Sequence, residues 1–236
     1  MEAPSVPLLV GITSGALVGA LWRASARGVV SAEESRACAQ LLGVLFTWIL
    51  VSGALALNGT YLHPTALRFL PLLCGFLVPT LLVIVALWLS PRLRSGVVGV
   101  IDSIPLRLLV GVQAIRISAL GTIVKYLEGE LPGHFIGPVA VPDLLVGLTA
   151  LPMAVWLTRD PAHARRSLIV WNVFGAAIFV GAGILLHVSM PGPVQFFTSG
   201  PTTEAIFHFP MVLVPTFLVP CFVGVHAACL WRLRSV

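Results

Sequence analysis

"LLVGVQAIRISALGTIV", Leu108 to Val124, is the stretch whose reading decides the fold. It is apolar enough to lie in lipid, yet it carries Gln113 and Arg116 near its centre. A bilayer core of about 30 Å takes about 20 apolar residues as a helix. Runs of that kind recur along the chain, at about 5–22, 38–57, 68–89, 106–127, 141–157, 167–188 and 208–231. They predict an all-α polytopic helix bundle with seven transmembrane spans, forming a single transmembrane domain over 1–236. A membrane β-barrel would need period-two alternation, which these continuous runs lack.

Composition points the same way. Hydrophobic residues make up 58% of the chain and charged residues 10%, and the mean hydropathy is +1.01. A water-soluble domain carries about 25% charged residues to cover its surface. The net charge of +5 does not indicate nucleic acid, because the basic residues punctuate the ends of apolar runs instead of clustering on a polar face. The first run has Glu2 before it and its first basic residue, Arg23, after it, so it reads as a retained span and not a cleaved signal. Cys38, Cys74, Cys221 and Cys229 form no CxxC and all lie in apolar runs, as small buried side chains do.

Charge segregation predicts orientation. With seven spans, Arg23, Arg27, Arg36, Arg92, Arg94, Arg107, Arg159, Arg165, Arg166, Arg232 and Arg234 fall on one side, and only Arg68 and Lys125 on the other. The positive-inside rule then sets the N-terminus outside and the C-terminus in the cytoplasm. "RLRSGVVGVIDSIP" before the fourth span reads as an interfacial turn of helix. Gly11, Gly15 and Gly19 make a GxxxGxxxG face suited to close helix approach, within the bundle or with a membrane protein partner, and "FGAAIFVGAG" offers a similar surface.

The intramembrane polar residues are the candidate ligand-binding site. A cation at mid-bilayer costs about 2.5–3.5 kcal/mol on insertion scales, so Arg116 needs a partner. Gln113 lies on the same helical face, three residues earlier. Asp143, just after Pro142, is the acid that could reach Arg116, or else an acid favouring its own helix N-terminus. Backbone is the other partner: Pro215 and Pro220, expected inside the last span, would free the carbonyls of Met211 and Thr216. Asn172 and His226 are expected at similar depth, as a second polar layer nearer the cytoplasm. No metal is expected. His63, His134, His187 and His208 could supply one on the outer side, and His187 with His208 a haem, but no HxxxH, HxH or HExxH brings ligands together. No cofactor is therefore predicted. Lys125 lies at a span end, against a retinal Schiff base, and the chain has no P-loop, GxSxG or paired intramembrane aspartates.

"PLRLLVGVQAIRI", "DLLVGLTALP", "LIVWNVFG" and "FPMVLVPTFLVP" followed by His226 carry a resemblance over roughly the last 130 residues. The chain resembles a group of uncharacterised bacterial multi-pass inner-membrane proteins, which implies a bacterial inner membrane and supplies no activity. That group usually has an acid just after the span-four arginine, where this chain has "RISALG". Three functional readings stay open. One is a binding or transport protein holding a small polar or anionic ligand at Arg116 and Gln113. Another is a structural or accessory subunit of a membrane complex, and the third is a membrane enzyme using the outer histidines and acids.

Overall fold

The computed structural model describes residues 5–62, 77–192 and 194–234. Among the described residues the long helices are α1 (Ser5–Ala26), α2 (Ala32–Leu57), α3 (Val78–Leu89), α4 (Pro91–Ser103), α5 (Leu106–Leu127), α6 (Gly133–Arg159), α7 (Pro161–Val188) and α8 (Val214–Arg232). No strand occurs among the described residues. Six of these helices are long and apolar enough to cross a membrane, and α3 with α4 would bring the number to seven. The expected span 68–89 lies partly outside the described residues, as do His63, Arg68 and Cys74; its described part is α3.

The outer surface is lipid-like. Trp22, Leu50, Trp88 and Leu127 are each more than 70% exposed, and water does not tolerate so extensive an apolar surface on a single chain. Inside, one apolar cluster around Leu131, Phe135, Phe207 and Val212 fills the end opposite the arginines. Another around Val110, Leu168, Cys229 and Leu233 fills the arginine-rich end. Phe179, Phe217, Leu218 and Phe222 form a third.

The helix ends follow from local chemistry. Ser31 accepts from the Glu34 amide while the Glu34 side chain accepts from the Ser31 amide, a capping box that starts α2. Ser90 caps α4, with Pro91 as its first residue. Where a turn of interfacial helix was expected, α4 runs for 13 residues and meets α3 at 111°. It is held at the arginine-rich end by side chains from elsewhere. Ser95 donates to Glu34 at 2.5 Å. Arg232 Nη1 donates to the carbonyls of Ile101, Asp102 and Ile104 at 2.7–2.9 Å, satisfying acceptors that the end of α4 leaves open. Asp160 starts α7 by accepting from the His163 amide. The His163 side chain bonded to it holds its carboxyl below the usual carboxylate range.

The later spans begin earlier or later than their apolar runs. α6 starts at Gly133, not near 141, so Asp143 lies well inside a continuous helix. α7 starts at Pro161, not near 167. The last span, expected from 208, becomes helical at Val214, which places Pro215 in its first turn and not in its interior. A proline fits the first turn of a helix, where its missing amide would be unpaired anyway, so α7 begins at Pro161 and α8 just before Pro215.

Candidate functional site

Three of the four helices that build the site depart from α geometry beside it. In α5 the segment Val112–Ala119 tightens to a 3-10 helix. Three residues per turn eclipse positions i and i+3, so Gln113, Arg116 and Ala119 form one buried row. α6 reaches Asp143 through a π turn, Ile136–Ala140, closed by the Val141 amide on the Ile136 carbonyl. α8 opens on a π turn, Val214–Leu218, closed by the Val219 amide on the Val214 carbonyl. Pro138 and Pro142, and Pro215 and Pro220, lie in or beside these turns. Missing amides break the regular ladder, and π turns recur where function needs a displaced side chain.

Two glycines set the spacing. A Cβ on Gly147 would stand 2.5 Å from the Ile117 amide nitrogen, so α5 and α6 cross backbone to backbone at Arg116. A Cβ on Gly175 would stand 2.5 Å from the His226 ring and 3.1 Å from Arg116 Nη1. This glycine of "FGAAIFVGAG" packs against the polar cluster itself. By contrast, Gly11, Gly15, Gly19 and Gly181 have nothing within 4 Å of such a Cβ.

Arg116 is completely buried. Its Nε donates to Asp143 Oδ1 at 2.6 Å, and its Nη2 also pairs with that carboxylate. Nη2 donates to the Gly175 carbonyl at 3.2 Å. Nη1 donates to His226 Nε2 at 2.7 Å. The guanidinium carbon lies 4.5 Å from the centroid of the Phe179 ring, a cation–π contact worth more out of water than in it. All three nitrogens of the head group are thus engaged by the protein.

The network continues beyond the arginine. His226 Nδ1 meets Asn172 Oδ1 at 2.9 Å, and Asn172 Nδ2 donates to the Leu168 carbonyl at 2.8 Å. The Trp171 ring stands edge-on to His226 at 5.8 Å, and its Nε1 donates to Thr149. The expected two polar layers are therefore one chain of contacts, Asp143–Arg116–His226–Asn172, crossing α6, α5, α8 and α7. Gln113 lies beside it, donating from Nε2 to the Phe222 carbonyl at 3.4 Å. Its Oε1 is buried with no hydrogen-bond partner. Asp143 is the most open member, with a side chain 20% exposed.

The expected backbone partners of Arg116 are engaged otherwise. The Thr216 carbonyl accepts from Trp48 Nε1 at 3.1 Å, and the Met211 carbonyl accepts from the Val214 amide. A second buried polar chain, Tyr61–Ser52–Thr216–Val212 carbonyl, was not foreseen in the sequence. Single Ser and Thr residues in apolar helices are too common to announce such a chain. Phe179 and Gly175 around Arg116 were also missed, since neither residue type signals a cation partner. Of the outer histidines, His134 meets Ser189 Oγ at 2.6 Å and stacks on Phe197, while His208 is exposed. Among the described residues no three His, Cys, Asp or Glu side chains come together in a metal-holding group.

Fold and site together define a multi-helix protein of membrane-spanning character, built around a charge-paired polar cluster. The chain belongs to the family described as a domain of unknown function (DUF8737), which matches residues 69–234 and so includes all five residues of the cluster. No curated protein and no solved structure matches it.

Proposed function

We propose that this chain is a multi-pass protein of a bacterial inner membrane that holds a small polar ligand at the cluster of Gln113, Arg116, Asp143, Asn172 and His226, as a binding or transport protein. The arginine asymmetry supports an N-terminus outside and a C-terminus in the cytoplasm. One observation carries the ligand reading: Gln113 Oε1 is fully buried, unpartnered and adjacent to the charged network. A buried acceptor left without a donor costs about 1–3 kcal/mol, which a ligand hydroxyl or amide would remove. Of the polar and anionic ligands expected, the neutral polar class is favoured, because Asp143 already balances the guanidinium.

Mass spectrometry of small molecules extracted from the protein in lipid nanodiscs tests this. A hydrogen-bond-donating compound should accompany the wild type and be lost from Gln113→Leu at unchanged thermal stability. Identical small-molecule content in the two proteins would end the reading.

A second reading is an accessory subunit of a membrane complex. It is favoured by the complete engagement of the guanidinium nitrogens within the chain and by the open glycine face of α1. Native mass spectrometry of gently solubilised membranes separates the two, by showing either a stoichiometric protein partner or the chain by itself.

A further inference from the structure

A groove of about 470 Å³ runs along α6 and α7, lined by Met153, Arg166, Ser167, Val170, Trp171 and Phe174. The five α7 residues follow one face of the helix, and Arg166 to Phe174 spans about 12 Å at 1.5 Å per residue. The groove thus has a guanidinium and a hydroxyl at the arginine-rich end and an aromatic, aliphatic wall leading toward mid-membrane. A second groove of about 480 Å³, around Thr47 and Trp48, is lined by no charged side chain.

We propose that the α6–α7 groove binds one anionic phospholipid, its phosphate on Arg166 and Ser167 and its acyl chain along Val170, Trp171 and Phe174. Charge complementarity selects that occupant. A guanidinium matches a phosphate with paired N–H groups, and the neighbouring basic residues Arg159 and Arg165 add to the positive field. Arg165 itself is turned to the end of α8, where its Nε donates to the Leu233 carbonyl. Asp160, the acid at the start of α7, bonds the amide and ring of His163. Arg166 is the charged residue that lines the groove. This site goes beyond the polar cluster and does not depend on it, although Trp171 forms a wall of one and touches His226 in the other.

The test is lipid retention by native mass spectrometry, with the protein exchanged into mixed detergent micelles containing equal phosphatidylglycerol and phosphatidylcholine. The wild type should retain one phosphatidylglycerol with about a fivefold preference, the size that one basic residue gives at a charged membrane surface. Arg166→Gln should abolish the preference, and Arg23→Gln, an exposed arginine on α1, should keep it. Equal retention of both lipids by the wild type would overturn the proposal. So would a preference that survives Arg166→Gln, or one lost equally in Arg23→Gln, which would indicate only a diffuse basic surface.

Discussion

Arg116 Nη1 and His226 Nε2 lie 2.7 Å apart in a region closed to water. A guanidinium only donates, so Nε2 accepts and the imidazole carries its proton on Nδ1. That proton faces Asn172 Oδ1, and the Asn172 amide then points its nitrogen at the Leu168 carbonyl. Each member fixes the orientation of the next. One cation, one carboxylate, a neutral ring and an amide form a chain in which each side chain bonds the next.

The tautomer is directly measurable. Nitrogen-15 solid-state NMR of histidine-labelled protein in bilayers should show a neutral His226 protonated on Nδ1, and Arg116→Leu should release that preference. An Nε2–H or doubly protonated ring in the wild type would mean that the Arg116 contact does not form.

Arg116 and Asp143 should behave as a coupled pair. Arg116→Leu should still insert, because it removes a group costing about 2.5–3.5 kcal/mol at mid-membrane. It should nonetheless lower stability by about 3–5 kcal/mol, since the Asp143 carboxylate loses its counter-charge. The double variant Arg116→Leu with Asp143→Asn should recover most of that loss. Thermal unfolding in detergent of both singles and the double decides, and strict additivity would show that the two do not interact.

The glycines predict a contrast between two helices. Gly175→Ala forces a methyl against His226 and Arg116 and should destabilise by about 1–3 kcal/mol, as overpacking does. Gly15→Ala meets open space and should stay within about 0.5 kcal/mol of the wild type. The same detergent unfolding assay compares them. A Gly175→Ala protein as stable as Gly15→Ala would show that α7 does not press on the cluster.

Orientation is tested by access. A reporter fused after Val236 should behave as cytoplasmic. A cysteine placed at Gly192, in a background with the native cysteines replaced, should react with an impermeant reagent applied from outside. Labelling of that cysteine only after lysis would reverse the orientation.

The sequence by itself determined the class of fold and the residues of interest. Hydropathy reports the cost of placing a side chain in lipid, and that cost is local, so helices α1, α2 and α5–α8 were legible from their apolar runs. The same local cost singles out Arg116, Gln113, Asp143, Asn172 and His226, because a polar group in a span needs a reason. Helix starts were less legible: Gly133 and Pro161 begin α6 and α7 several residues before their apolar runs. An interfacial turn of helix costs little to extend, so hydropathy sets no sharp boundary.

Only the tertiary structure decided which partner each polar residue takes. Arg116 could have met Asp143 or the carbonyls of the proline-rich last span. Those carbonyls meet the Trp48 ring nitrogen and the Val214 amide instead, and the guanidinium bridges α6, α7 and α8. Its path depends on two glycine crossings, a 3-10 segment and two π turns. Those features fix the rotations and separations of the helices around the cluster. Hydrogen bonding is directional and short-ranged, so partner choice rests on that packing, whereas burial in lipid needs only a composition.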